Sequence, residues 1–358
     1  MKYLDELLDQ VLREVQVDDA TVSEAKSRRT AVLDAAAGFD GVLRQYRSGS
    51  LAYGTAITPP PNKPTDRGVD GDGGIVLKRT VWTTLGPDSS AEQGPSEVVG
   101  LVQNRIRPIL CENHPDLTVG KTTKRAILVK FNEPLASGED PPVELIVAVI
   151  RQAGGLWIPN LVDDDWDPAD PVTHAQLINE QPKLSLRRRR ARVMRLVKHW
   201  NKKMTQPAFS SFHLQALALE VIGDSDVGCQ LRTTVQRFFQ EAAEALEEAM
   251  TEDPAGVSGV FHLENDVTRD LAVERLRAAG AAIEAANGEP DDQELVRAEL
   301  KKIFHPDTVE KAVDEHEFAA LSRGHGSVSV GAAGSIGSRL TPSRSESAKR
   351  PAAWSRGK

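Results

Sequence analysis

The stretch Gly49-Ser50-Leu51-Ala52-Tyr53-Gly54-Thr55, followed by Val69-Asp70-Gly71-Asp72-Gly73-Gly74-Ile75-Val76-Leu77, decides the predicted fold. Its first part is a Gly-Ser turn, where backbone N–H groups and a hydroxyl can approach a triphosphate because glycine has no Cβ. Its second part leads from two aspartates into an apolar run typical of a strand. For an isolated Gly-Ser dipeptide the alternative is an ordinary surface turn.

Asp70 and Asp72 stand two residues apart at the start of this strand, so the side-chain period of two puts both carboxylates on one face. Hard divalent cations prefer oxygen ligands, and a pair of them stabilises the attacking and leaving oxygens of phosphoryl transfer. We therefore expect the pair to bind two Mg²⁺ ions, with Mn²⁺ as an alternative, and the flanking glycines to leave space for a ligand. The competing interpretation is a solvated acidic loop.

A third acid is expected from a neighbouring strand. Glu144 is the charged residue at the head of the apolar run Val143-Glu144-Leu145-Ile146-Val147, which makes it the candidate for a third metal ligand and catalytic acid. The alternative is a strand-end carboxylate in solvent.

Outward from these motifs, the pattern predicts an α/β lobe followed by a helical lobe. Helical spacing is expected from Leu4 to Val15, from about Thr21 to Tyr46 and from Ser96 to Cys111, and strands over Arg125 to Phe131 and Val143 to Ile150. An acidic, proline-containing linker runs from Asp163 to Pro171, and helix is expected from there almost to residue 320. We divide the chain into 1–160 with its N-terminal helices, 161–321, and a tail over 322–358.

Composition excludes several classes of protein. The chain of 358 residues is 40% hydrophobic, and its 52 acidic and 44 basic residues give a net charge of -8, so it lacks the overall basic charge of a polyanion-binding domain. Cys111 and Cys229 are far apart and in no metal-like spacing, which argues against a disulfide framework and a zinc site. No apolar run reaches membrane-spanning length, and we expect a cytoplasmic protein without membrane association.

The order of a Gly-Ser turn, an Asp-x-Asp pair and a later strand acid resembles the nucleotidyltransferase fold of polymerase-β type. A second match lies in Arg195-Leu196-Val197-Lys198-His199-Trp200-Asn201 and Ser211-Phe212-His213-Leu214-Gln215-Ala216-Leu217. These segments resemble the helical-lobe signature of oligoadenylate synthases and of the cyclic GMP-AMP synthase-like CD-NTase family. The matching motifs span residues 49 to 217. Where relatives have a third aspartate, this chain has Glu144.

The resemblance implies a bilobed enzyme that makes cyclic or linear oligonucleotide second messengers from nucleoside triphosphates, with a role in bacterial antiphage signalling. It implies that Lys198 contacts the donor triphosphate, together with Gly49 and Ser50, that Ser211 contacts phosphate and that Phe212 stacks on the donor base. Packing between helices is the alternative for Phe212, and we interpret His199 and His213 as structural. Two alternative functions remain: transfer to an RNA, protein or antibiotic acceptor, and a non-catalytic nucleotide or RNA sensor.

Two basic segments suggest partners. The run from Arg187 to Arg190, with Arg192 and Arg195, is either a solvated helix face or a basic surface for a nucleic-acid activator or substrate phosphates. The tail from Ser322 carries seven Lys or Arg against one Glu and is rich in Gly and Ser, so we expect it to be disordered when alone. It is either a passive terminus or a docking segment for a conjugation or regulatory protein.

Overall fold

The computed structural model describes residues 2–61, 69–121, 124–180 and 183–324 of the chain. The described residues through Phe318 belong to one compact unit, and a second unit begins at Ala319. Within the described ranges, no helix combines the length and apolar character needed to cross a membrane. Most of the predicted tail, from residue 325 on, lies outside the described residues.

A mixed sheet of seven strands forms the first lobe. Its strands are β1 Val42–Arg47, β2 Gly71–Leu77, β3 Thr118–Lys121, β4 Ile127–Lys130, β5 Val143–Ile150, β6 Leu156–Asn160 and β7 Asp165–Ala169. The order β1-β2-β5-β4-β3 places β2 beside β5, and these two strands run parallel in a register that pairs Gly71 with Val143 and Leu77 with Val149. β6 pairs with the second half of β5, and β7 pairs with β6.

The helices precede, interrupt and follow the sheet. They are α1 Tyr3–Glu14, α2 Asp19–Ala37, α3 Gly49–Tyr53, α4 Ser96–Cys111, α5 Pro171–Asn179, α6 Leu184–Lys203, α7 Ser211–Val221, α8 Leu231–Glu248, α9 Arg269–Gly288, α10 Gln293–Ile303 and α11 Pro306–Gly324. Together with the mixed sheet they form the predicted α/β fold with two lobes.

Each lobe has its own hydrophobic core. Val32, Ile75, Val102 and Val147 belong to the core in which α2 and α4 cover the sheet. The second core gathers apolar residues of α6 to α11, and α1 contributes Leu4, Leu7, Leu8 and Val11 to it. The N-terminal helix therefore packs with the helices that follow the sheet, although its sequence position lies in the predicted 1–160 segment, whose boundary stays a prediction.

Several local expectations were wrong, for identifiable reasons. The helix expected to reach Tyr46 ends at Ala37, and Val42–Arg47 form an edge strand paired with β2. The expected linker contains β7, an edge strand that tolerates a proline because one side of it is unpaired.

The space beside Gly71 and Gly74 is occupied by other residues of the protein, and it is not left open for a ligand as expected. A Cβ at Gly74 would lie 2.4 Å from the Tyr46 ring, and one at Gly71 would lie 3.0 Å from Arg29 Cβ.

Candidate active site

The Gly-Ser segment lies between the sheet and the helical lobe. β1 leads through Ser48 into α3, which begins at Gly49 with a φ of +74°, a conformation that favours glycine. The backbone N–H of Ser48 donates to the Asp72 carbonyl at 3.2 Å, which fixes the segment to β2. The Gly-Ser turn and the Asp pair, separate in sequence, are therefore adjacent in the fold.

Side chains of the helical lobe hold the far end of α3. Asn179 Nδ2 donates to the Ala52 carbonyl at 3.3 Å, Arg195 Nε donates to the Gly54 carbonyl at 3.1 Å, and Lys198 Nζ donates to the Thr55 carbonyl at 3.0 Å. Carbonyls at a helix C-terminus lack intrahelical partners and carry partial negative charge, so an amide and two cations are suitable donors. This contact fixes the Gly-Ser segment relative to α6.

The carboxylates lie next to one another across two strands. Asp72 of β2 is directly opposite Glu144 of β5 in the parallel register, and Asp70 immediately precedes β2. Burial raises the pKa of Asp72 well above its usual range, repulsion from Asp70 and Glu144 raises it further, and Lys198 and Arg29 oppose the shift. All three acids are half-buried, and the mutual repulsion of their carboxylates is a charge distribution that a cation would relieve.

The three acids differ in whether their positions suit binding of a metal ion. Among the residues that the structure describes, no three His, Cys, Asp or Glu side chains are grouped closely enough to hold an ion. Asp70 and Asp72 face a cavity, whereas Glu144 adjoins Asp72 without lining that cavity. The structure thus places Asp70 and Asp72, but not Glu144, at the cavity, and metal binding by any of the three stays a prediction.

A cavity of about 430 Å³ separates the two lobes at this point. Most of the predicted site residues line it, namely Gly49, Ser50, Asp70, Asp72, Lys198, Ser211 and Phe212. Residues that the sequence did not single out line it as well, among them Tyr53, Arg125, His174, Lys202, Gln215, Ser258 and Phe261. A pocket of this size with convergent charged groups is the usual geometry of a small-ligand site.

Two lysines of α6 form the cationic side of the cavity. Lys198 is 5% exposed, and burial lowers its pKa to about 8, with Lys202 lowering it further and Asp70 and Asp72 opposing the shift. Lys202 follows one helical turn later, so both side chains project from the same face of the helix. The sequence alone could have identified Lys202, because it follows Lys198 at the i, i+4 spacing of one helix face.

Aromatic rings form another part of the cavity lining. The centroids of Phe212 and His174 are 4.2 Å apart, and Phe261 meets Phe212 edge-on at 5.3 Å. His174 is fixed by a 2.6 Å hydrogen bond between its Nε2 and Asp253 Oδ1. Asp253 also accepts hydrogen bonds from the N–H groups of Ala255 and Ser258, which, with His174, hold the pKa of Asp253 at about 2 despite burial.

His199 and His213 occupy interior positions. Burial lowers the pKa of each to about 4. His213 Nε2 is 2.8 Å from Thr251 Oγ1, and neither histidine is among the residues that line the cavity. Their surroundings agree with a structural role.

Some arginines of the run bond neighbouring segments of the fold, and the others line a separate groove. Arg190 Nε donates to the Ile222 carbonyl at 2.9 Å and Arg189 donates to the Cys229 carbonyl, so these two side chains tie α6 to neighbouring segments. Arg187, Arg188, Arg192 and Arg195, with Arg13, line a separate groove of about 850 Å³, which we call the basic groove. None of these five arginines lines the cavity that contains the Asp pair.

Comparison of the fold with solved structures gives consistent matches. No family model and no curated protein matches the sequence. The chain is similar to the Bradyrhizobium diazoefficiens CD-NTase CdnG in complex with GTP, at a TM-score of 0.64 and 15% identity over 88% of this chain and 99% of that one. It is similar to Escherichia coli MS115-1 CdnC with ATP, at a TM-score of 0.59 and 17% identity over 85% and 98% of the two chains.

A third match is the 3'-deoxy GTP bound form of Escherichia coli DncV, at a TM-score of 0.53 and 14% identity over 86% of this chain and 88% of that one. The chain has the CD-NTase fold. The fold implied by the motif resemblance is therefore confirmed over nearly the whole length of these structures. In this CD-NTase fold the cavity between the lobes contains the Gly-Ser turn, the Asp pair and the Lys198 and Phe212 side chains.

Proposed function

We propose that this chain is a nucleotidyltransferase that makes cyclic or linear oligonucleotide messengers from nucleoside triphosphates. One observation carries the proposal: a single cavity combines the acidic pair Asp70 and Asp72, two lysines of α6 and the aromatic ring of Phe212. Acids suit cations, ammonium groups suit phosphates, and an aromatic ring suits a base. The CD-NTase fold supports the same assignment.

We assign each residue a role from its position in the cavity. Lys198 and Lys202 bind the donor triphosphate, Gly49 and Ser50 allow it to approach the backbone, Ser211 contacts phosphate, and Phe212 stacks on the base. Asp70 and Asp72, with Glu144 as the proposed third acid, hold the divalent cations. Two bound Mg²⁺ ions, or Mn²⁺, would supply activation of a ribose hydroxyl and neutralisation of charge on the α-phosphate. The chain itself would orient the donor between its lobes.

Incubation of the purified protein with the four triphosphates and Mg²⁺, without another acceptor, tests this function. The proposal predicts pyrophosphate release and a new oligonucleotide. A product that forms only after RNA, a protein or an antibiotic is added would identify a different acceptor, and binding without turnover would identify a sensor. The intact Asp70 and Asp72 pair favours turnover.

Partners are a further part of the proposal. A similar solved structure is the E. coli MS115-1 CdnC:HORMA-deltaN complex, which shows a protein partner for that relative. For the present chain we propose that the basic groove is available to a nucleic-acid or protein activator, because Arg188 in it is exposed. The tail over residues 322–358 is proposed as a docking segment for a conjugation or regulatory protein, and a signalling role against phage follows from the resemblance.

A further inference from the structure

Arg29 of α2 is a buried arginine whose guanidinium the fold leaves without a partner. The residue is 4% exposed, yet its Nε and Nη1 make no hydrogen bond within the described part of the chain. The side chain lines a groove of about 830 Å³ between α2, β1, α3 and α5, which we call the α2–β1 groove. Among the residues that the structure describes, none lines both this groove and the cavity that contains the Asp pair. The proposed chemistry therefore leaves Arg29 without a role.

The preceding residue, Arg28, shows how this protein satisfies a buried guanidinium. Arg28 is 2% exposed, and its Nε donates to Glu24 Oε1 at 2.7 Å. Its Nη1 donates to the Pro141 carbonyl at 3.0 Å, and its Nη2 donates to the Glu133 carbonyl at 2.6 Å. Buried polar groups are normally bonded in this way, because an unpaired buried charge is strongly unfavourable. Arg28 is thus a structural residue, whereas Arg29 keeps an unpaired charge at the wall of a groove.

The charges that line the α2–β1 groove are mostly positive. Lys26 and Arg29 come from α2 and Arg47 from β1, and Glu180, directly after α5, is the one acid among the lining residues that the structure describes. Arg47 is exposed, and it forms no ion pair with a described residue. Burial lowers the pKa of Arg29, repulsion from Arg47 lowers it further, and Asp72 opposes the shift. The two guanidinium groups are therefore close enough to repel each other without an anion between them.

An anion is the partner that this set of groups lacks. The guanidinium group is planar and always charged, and its fork of N–H donors matches the oxygens of phosphate and carboxylate. Nη2 of Arg29 is not among the enclosed atoms, so a ligand in the groove has access to it. Because no hydrogen bond holds the guanidinium, it is also able to rotate towards a bound anion. The volume of the groove lies in the usual range of small-molecule sites.

We propose that the α2–β1 groove binds a phosphate group between Arg29 and Arg47, with Lys26 contributing a third positive charge. A phosphate dianion carries two charges and enough oxygens for two guanidinium forks, whereas a carboxylate has one charge and two oxygens. The ligand is either free inorganic phosphate or a small phosphate monoester, and the chemistry at the two arginines is the same for both. The site is independent of the proposed function, because it requires neither the Asp pair nor turnover.

Four variants of the full chain separate this site from the other cationic surfaces. Arg47→Gln removes a charge at an exposed position, and Arg29→Met removes the guanidinium while it keeps an unbranched side chain. Lys198→Ala removes a cation of the cavity that contains the Asp pair. Arg44→Gln is the matched control, because Arg44 is an exposed arginine of β1 that does not line the α2–β1 groove.

The measurement is the dissociation constant of inorganic phosphate and of glycerol 3-phosphate, determined by titration calorimetry in buffer without divalent cations. The wild type, Arg44→Gln and Lys198→Ala should bind with the same affinity. Arg29→Met and Arg47→Gln should each weaken binding by at least about tenfold, the usual value of a hydrogen bond to a charged group. Tighter binding of glycerol 3-phosphate than of phosphate would identify a monoester as the ligand, and equal or weaker binding would identify free phosphate.

Affinities of Arg29→Met and Arg47→Gln within twofold of the wild-type value, or no binding to the folded wild type, would overturn the site. Loss of binding in Lys198→Ala alone would also overturn it, because the anion would then lie in the other cavity. In phosphate-free buffer Arg29→Met should unfold at the wild-type temperature or above it, since it removes a buried unpaired charge. If Arg29→Met does not fold, Arg47→Gln alone decides, because Arg47 is exposed.

Discussion

Gly49 and Asp72 are in direct contact: a Cβ built on Gly49 would lie 1.6 Å from Oδ2 of the Asp72 carboxylate. The absence of a side chain at Gly49 therefore lets the Gly-Ser segment approach the acidic pair. The requirement is steric and conformational at once, because Gly49 also has a positive φ of +74°. This contact relates the sequence motif to the chemistry proposed for the cavity.

Gly49→Ala should reduce turnover by at least about 100-fold, because the added methyl displaces a carboxylate whose contribution is worth several kcal/mol. Gly54→Ala is the matched control. Gly54 has a similar φ of +68°, yet an added Cβ there meets nothing within 4 Å. Both variants pay a similar conformational penalty of about 1 kcal/mol in the free energy of unfolding. Equal activity of the two variants in a product-formation assay would contradict the proposed role of this contact.

Asp72→Asn should remove turnover, also by at least about 100-fold, while leaving the unfolding temperature unchanged or raised. The amide keeps the shape of the side chain, and it relieves the repulsion that Asp70 and Glu144 exert on a buried carboxylate. Glu144→Gln tests the third acid in the same assays. Near-normal turnover of the Glu144 variant would restrict the metal site to the Asp pair.

Lys198 should bind triphosphate only as its ammonium. Since burial lowers the pKa of the free lysine to about 8, affinity for a triphosphate should decrease as pH rises through 8. Lys198→Ala should weaken binding by roughly 10- to 100-fold, the usual value of a hydrogen bond to a charged group, and should remove this pH dependence. Lys198→Arg should extend binding to higher pH. Triphosphate-binding titrations between pH 6.5 and 9.5 compare the wild type with the variants. Thermal unfolding shows whether loss of the Lys198 hydrogen bond to the Thr55 carbonyl destabilises the fold.

Phe212→Ala should weaken binding of every triphosphate by about 1 to 3 kcal/mol, because stacking on a ring tolerates all bases. Phe212→Tyr keeps the ring and should retain affinity. The His174 ring also contacts Phe212, at a centroid distance of 4.2 Å, so the unfolding temperature of both variants should be measured to detect any loss of stability from this contact. Unchanged affinity of a folded Phe212→Ala protein would favour helix packing as the role of this residue.

Stability should decrease on acidification between pH 6.5 and 4. The pKa of His213 is lowered to about 4 in the folded protein, below its ordinary value of 6.5, so the unfolded chain takes up the proton first. The stabilisation is complete above pH 6.5, diminishes as pH falls towards 4 and is then lost. Denaturant unfolding of the wild type and His213→Gln should show a weaker pH dependence in the variant, and the same slope in both would contradict this cause.

The central fold could be predicted because its motifs are local. The helix Ser96–Cys111 and the strand Val143–Ile150 carry clear periodicity, and the structure has both with those bounds. β1 was missed because its exposed side chains, such as Arg44 and Gln45, resemble the polar face of a continuing helix. Its strand conformation depends on pairing with β2, which is a tertiary effect that a local pattern does not contain.

The same distinction applies to the site. Gly49, Asp70 and Asp72 were found from a contiguous motif, and Lys198, Ser211 and Phe212 from a family resemblance. His174 and Phe261 reach the cavity from separate segments, α5 and the loop before α9, and no spacing in the sequence relates them to Phe212. Gln215 lies inside a quoted motif, but its position in the lining of the cavity becomes visible only in the three-dimensional structure.

The most direct test of the account is mass spectrometry of the products that the wild-type protein forms from mixed ATP, GTP, CTP and UTP with Mg²⁺, compared with Asp72→Asn. The account predicts new cyclic or linear oligonucleotides from the wild type and none from the variant. Folded wild-type protein that binds triphosphates yet yields no oligonucleotide, or equal product from Asp72→Asn, would contradict it.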